Sequence, residues 1–182
     1  DGQQRMITST ILLAAIRDSF KDFEMADEAK EIQSIYIGKF SQRHHSTNYK
    51  LIPADQLRDW FQRHIQNYPR EEFPAVRLLN AEQRKVRDNY NLFRKEISKE
   101  TDNLDTSAKR DRLYRILTRL EEMKIVRIEV SDEARAYEIF ETVNARGAEL
   151  TVADLLKNTI FREVPPDERR GGDFAKDMWA KI

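Results

Sequence analysis

The sequence predicts an α+β fold that is predominantly α-helical, with a small β-sheet and a helical extension. Three observations predict it. Apolar residues recur at three- and four-residue spacing along most of the chain. Two short stretches, around Lys50 and from Ile125 to Val130, have the β-branched or alternating character of strands. Charged residues make up 35%, above the usual quarter and in keeping with long solvated helices, while 40% hydrophobic residues suffice for a core.

The elements follow in order. Met6 to Phe20 reads as a helix whose apolar residues, Ile7, Ile11, Leu12, Leu13, Ala15, Ile16 and Phe20, cover more than one face, as expected of a central buried helix. A second helix runs from about Asp27 to Tyr36. Its end is ambiguous, because Ile35-Tyr36-Ile37 before Gly38 is equally compatible with the start of a strand. Gln42 to Asn48 reads as a polar loop, and Tyr49 to Pro53 as a short strand closed by proline. Asp55 is then expected to cap a helix carrying Leu57, Trp60, Phe61 and Ile65 on one stripe. Tyr68 to Pro74, with two prolines, is the clearest break. Long helices are expected over Ala75–Ser98 and Ser107–Met123, joined by a turn at Thr101–Thr106. After the Ile125 strand come a helix over Ser131–Asn144, a break at Asn144-Ala145-Arg146-Gly147, and a helix from the Thr151 cap to about Arg162. Residues 1–164 read as one domain; 165–182 read as a Pro- and Gly-bearing linker and the start of a further helix.

Composition narrows function. Lys and Arg number 32 and so do Asp and Glu, so no global basic charge marks a nucleic-acid or membrane binder. Cysteine is absent, which excludes disulfides and thiolate metal sites and is compatible with a cytoplasmic protein. The longest apolar run, Ile11 to Ile16, is far too short to span a bilayer.

Two polar clusters stand out. Asp1-Gly2-Gln3-Gln4-Arg5 precedes the first apolar helix, at the end of the helix dipole that favours anions. Arg5 suits phosphate oxygens, Gly2 allows close backbone approach, the Gln amides can orient a ligand, and Asp1 can hold a metal-bound water or take a proton. A solvated, capping turn uses the same residues. The chain opens on this cluster without an initiator methionine, so it reads as a fragment lacking an upstream segment. The second cluster, Phe140 to Leu150, is followed by Asp154, Lys157 and Asn158. Gly147 suits the left-handed position that ends a helix, and Thr151 starts the next, giving a tight corner with Arg146 at its apex. A structural corner and a binding site remain equally open readings, because the corner alone needs neither Asn144, Arg146, Lys157 nor Asn158.

The pair of clusters, D-G-Q-Q-R and F-E-T-V-N-A-R-G-A-E-L-T-V-A-D-L-L-K-N, resembles the N-terminal domain of GmrSD-type modification-dependent restriction endonucleases, and the likeness extends through Tyr49–Asp55 and the Asn89-Tyr90 helix. The resemblance implies a ParB/sulfiredoxin-like fold. It also implies binding and hydrolysis of a nucleoside triphosphate (NTP) with Mg²⁺, controlling a separate HNH-type nuclease domain or subunit in phage defence, with DNA a possible further partner. It places catalysis on Asp1, Gln3, Gln4 and Arg5, nucleotide binding on Gly2, Arg5 and Thr8, and a second motif on Asn144, Arg146, Gly147, Asp154, Lys157 and Asn158. Gln3, Gln4 and Arg5 are accordingly expected within reach of the Asn144–Gly147 corner. Met6 departs from the commoner leucine. The upstream segment with its Gln-Arg pair is absent, and nothing resembles the nuclease domain. Alternative readings are a DNA-binding module without hydrolysis and a helical scaffold that docks a nuclease.

Lesser candidates have plainer readings. His44-His45 reads as a solvated loop, His64 as a dipole partner near a helix C-terminus, and Trp60 and Trp179 as core or domain contacts. The basic residues between Arg77 and Arg127 alternate with acids, as salt-bridged helix faces do.

Overall fold

A 21-residue helix, α1 (Gly2–Asp22), organises the fold in the computed structural model, which describes residues 2–125. From Thr10 to Phe20 it is buried at every position but the partly covered Leu12. Such a helix needs neighbours on several sides. It has them in α2 (Ala26–Ile32), α4 (Ala81–Thr101) and α5 (Thr106–Glu121). Ile11, Ile16 and Phe20 are essentially inaccessible, and each such side chain contributes about 1.5–3 kcal/mol of transfer free energy. The central, multi-faced helix expected from the sequence is therefore present. It starts four residues earlier than expected, so Gly2 to Arg5 form its first turn and do not precede it. Gln and Arg are good helix formers, and no acid or proline among residues 2–5 interrupts them.

α2 passes into a π-helical turn, Gln33–Ile37, and strand β1 (Gly38–Ser41) follows directly. Of the two readings open for Ile35–Ile37 the helical one holds, since all three residues lie in the π-helical turn and the strand begins only at Gly38. β1 pairs antiparallel with β2 (Ser46–Tyr49), from Gly38 opposite Tyr49 to Ser41 opposite Ser46. This hairpin corrects one expectation and supplies a strand partner that was not foreseen. The strand near Lys50 lies over Ser46–Tyr49, mostly inside the stretch expected as a polar loop. Its partner is β1, and residues 126–130 of the expected Ile125 strand lie outside the described residues. The hairpin strands are largely solvent-facing, so counting apolar residues could not find them.

α3 (Asp55–Phe61) continues as a second π-helical turn, Gln62–Gln66. Its N-cap is Ala54, which makes no side-chain capping bond; Asp55, expected as the cap, is the first helical residue and pairs with Arg58 at 2.6 Å. The break at Tyr68–Pro74 is confirmed and contains a cis Tyr68–Pro69 bond. The helix expected from Ala75 begins at Ala81, after a short 3₁₀ turn, Val76–Leu78. Asn80 decides this start. Its side chain accepts from the Gln83 backbone N–H at 2.9 Å, and the Gln83 side chain accepts from the Asn80 N–H at 3.1 Å, a complete capping box. Asp105 caps α5 by accepting from Ala108 at 2.8 Å. Gly2–Lys124 form one compact unit. The expected helices over 131–144 and 151–162, the corner at 144–147 and the boundary at 164 lie outside the described residues.

Candidate functional site

Four of the five residues of the first motif, Gly2, Gln3, Gln4 and Arg5, are solvent-exposed on the opening turn of α1. That turn carries backbone N–H groups without helical acceptors and the positive end of the helix dipole. No acidic residue stands in it to offset that field. A Cβ added at Gly2 would meet nothing within 4 Å, so Gly2 leaves its backbone open to approach. Thr8 is also exposed and one turn on; its hydroxyl donates to the Gln4 carbonyl at 2.9 Å, leaving it lone pairs to offer. The cluster is therefore a donor-rich, cationic surface held at the tip of a helix whose other half is core. Asp1, together with Asn144, Arg146, Gly147, Asp154, Lys157 and Asn158, lies outside the described residues, and so does the expected contact between the two motifs.

A second polar feature was not singled out from the sequence. Arg17 and Asp18 sit in the apolar half of α1, Arg17 wholly buried and Asp18 8% exposed. Arg17 Nε donates to Asp18 Oδ1 at 2.7 Å, and Arg17 Nη1 donates to Gln33 Oε1 at 2.6 Å. The other Asp18 oxygen accepts from Arg70 Nε at 2.9 Å and from the Tyr90 hydroxyl at 2.7 Å. Burial pushes the Asp18 carboxyl up, but Arg17, Tyr90 and Arg70 together outweigh it and leave it below the ordinary carboxylate value. Burial and the Asp18 charge push Tyr90 up to about 12. Arg70 is raised as well: burial works against its charge, but Tyr90 and Asp18 favour it more. Next to Asp18, Arg94 bonds Ser19 at 2.6 Å and pairs with Asp22.

These groups border a cleft of about 450 Å³ between α1, α4 and the Tyr68–Arg70 segment. Its chemistry is structural. Both Asp18 oxygens are engaged by donors, so the carboxylate is a clamp and offers no base. The signal in the sequence was the Arg17-Asp18 pair itself, two charges inside an otherwise apolar run. What the pair binds, Gln33, Arg70 and Tyr90, was not readable.

The lesser candidates resolve as follows. His44 and His45 are exposed in the hairpin turn, His45 with φ 48°, and among the described residues no group of three His, Asp or Glu side chains could hold a metal ion. His64 does stand in the last turn of its helix, where a dipole partner was expected, and it is buried there. It is 4% exposed, its ring 4.7 Å from Trp60 and 6.0 Å from Phe73. Trp60 is core, as expected. Several of the interleaved charges do pair, including Lys99 with Glu96 within α4, Arg112 with Glu100 between α4 and α5, and Arg110 with Glu28 between α5 and α2. Among the described residues no helix is long and apolar enough to cross a membrane.

Comparison with known proteins adds family membership. Neither the curated proteins nor the solved structures include a match to the chain. The family model described as "GmrSD restriction endonuclease, N-terminal domain" matches residues 1–161, which include both polar motifs and the whole of the described unit. The chain belongs to the family of GmrSD restriction endonuclease N-terminal domains.

Proposed function

We propose that this chain is a nucleotide-binding and nucleotide-hydrolysing regulatory domain of a restriction system, acting on a separate HNH-type nuclease domain. Family membership supports the restriction system. The observation that carries the nucleotide reading is the solvent exposure of Gly2 to Arg5 on the first turn of a helix anchored in the core. A triphosphate needs a cation, several hydrogen-bond donors and close backbone approach. Arg5, the Gln3 and Gln4 amides, the turn's N–H groups and Gly2 supply these.

Within that reading Arg5 holds phosphate oxygens, Gln3 and Gln4 orient the ligand, and Thr8 offers a lone pair. The described residues fit the phosphates but assemble no cation site among themselves. Mg²⁺, which takes hard oxygen ligands, would rest with the triphosphate and Asp1, the one carboxylate of the motif. When bound it would neutralise phosphate charge. Asn144, Arg146, Gly147, Asp154, Lys157 and Asn158 form the second motif of the same reading. The domain architecture in this reading is the ParB/sulfiredoxin-like one.

The test is phosphate release by the full-length protein with each of the four common triphosphates and Mg²⁺, alongside Arg5→Ala. Hydrolysis that Arg5→Ala abolishes is the expected result. Full activity in Arg5→Ala would remove Arg5 from the site. A protein that no triphosphate stabilises against heat, yet binds DNA with a steep salt dependence, would replace this reading with a DNA-binding module.

A further inference from the structure

A second cleft, of about 440 Å³, lies on the other side of the Tyr68–Pro69 segment, and its chemistry differs from that of the first. Tyr49 and Tyr68 line it, with Phe40, 58% exposed, joining them. The Tyr49 ring is held on two sides. It rests on Gly38, where a Cβ would lie 2.7 Å from Tyr49 Cδ1, and its hydroxyl donates to Asn67 Oδ1. That bond fixes the Asn67 amide, whose nitrogen has no partner among the described residues and remains a free donor. Gln33, also in the lining, is fully used: Oε1 accepts from Arg17, and Nε2 donates to the Gln66 carbonyl at 2.9 Å.

A cation stands behind one wall of this cleft. The Arg17 guanidinium lies 5.3 Å from the Tyr68 ring centroid. With Asp18 and Arg70 it makes a cluster of two cations and one anion. Lys30 lines the cleft too, its side chain 65% exposed and paired only with the exposed Asp27 among the described residues. Three aromatic rings are also the elements of a cage for a quaternary ammonium, but Arg17 behind the Tyr68 ring and Lys30 in the lining disfavour a cationic guest. A flat, neutral ring bearing hydrogen-bond acceptors and an attached anion fits every group. The rings stack it, Asn67 donates to a ring nitrogen or carbonyl, and Lys30 meets the anion.

We propose that this cleft takes an unstacked nucleobase with its phosphate, from a free nucleotide or from an unpaired position in a nucleic-acid strand. The site is separate from the first-turn motif. Arg17, which backs the Tyr68 wall, lies twelve residues beyond Arg5, about 18 Å along the helix at 1.5 Å per residue.

The Asn67 side-chain amide gives a local readout by NMR. Two probes separate the sources: a nucleoside monophosphate, and a short single-stranded oligonucleotide with its abasic counterpart. The Asn67 amide signal is expected to move with at least one base-bearing probe and to stay in place with the abasic strand. Saturation by the monophosphate alone assigns a free nucleotide; response to the strand alone assigns an unpaired base. Phe40→Ala, at an exposed position that does not endanger the fold, should weaken binding about tenfold, the scale of one lost stacking contact. Asn67→Asp, which loses the donor and adds an anion, should weaken it at least as much. The proposal is overturned if neither probe moves the Asn67 signal, if the abasic strand moves it equally, if tetramethylammonium moves it instead, or if Phe40→Ala binds as the parent does.

Discussion

The Tyr90 hydroxyl donates a 2.7 Å hydrogen bond to Asp18 Oδ2 and so ties α4 to α1 across 72 positions of sequence. The same oxygen accepts from Arg70, and its partner oxygen from Arg17. One carboxylate thereby joins the central helix, the long irregular segment and the fourth helix.

Asp18→Asn is expected to destabilise the protein by about 3–5 kcal/mol, because it strands buried Arg17 and half-buried Arg70 without their counter-charge. A urea unfolding midpoint measures this. A loss of about 1 kcal/mol or less, the scale of an exposed pair, would contradict it. The pH dependence has a definite sign. Folding lowers the Asp18 pKa, so its stabilisation is complete above the ordinary carboxylate value near about 4 and is lost as pH falls through the lower folded value.

Tyr90 acts at the opposite end of the pH scale. Its pKa rises to about 12 on folding, against an unfolded value near about 10. The native state therefore retains a proton that the unfolded chain has lost. Stability from this group is complete below pH 10 and falls as pH rises from 10 to 12. Tyr90→Phe should cost about 1.5–3 kcal/mol near neutrality, the scale of a hydrogen bond to a charged group, and should flatten the alkaline decline. Unfolding curves collected from pH 8 to 12 would show an unchanged slope if Tyr90 were not responsible.

Asn80→Ala removes the capping box and should cost about 1 kcal/mol. The first turn of α4 should then fray, which amide hydrogen exchange at Gln83 and Arg84 would report. Protection equal to the parent's would mean that packing, not the cap, sets the start of α4.

Gly38→Ala tests the close approach in the hairpin. Its backbone is extended, with φ −176°, so strain in the backbone is not at issue. The added Cβ meets the Tyr49 ring at 2.7 Å and the Asn48 carbonyl at 3.2 Å. A cost of about 1–3 kcal/mol is expected, as for other overpacked positions. The Tyr49 ring should shift and its bond to Asn67 should weaken, visible in the ring's chemical shifts. An unperturbed Tyr49 spectrum would show that the hairpin opens at no cost.

Elements with local signals could be read from the residues alone. The helix from Met6 to Phe20 was legible because its apolar residues cover several faces, and the break at Tyr68–Pro74 because proline cannot continue a helix. Family membership was legible from two motifs spaced along the chain. The start of α4 at Asn80 was also written locally, as an Asn followed three residues later by Gln, but the apolar spacing of Val76 and Leu79 masked it. Tertiary structure alone decided the rest. The partner of the Lys50-region strand turned out to be β1, since pairing depends on which backbones meet and polar strands carry little pattern. That Arg17 and Asp18 would be tolerated inside the core depended on Gln33, Arg70 and Tyr90 arriving from three other segments. A buried charge is stable only when its partners are present, and their positions are fixed by the packing of helices far apart in sequence.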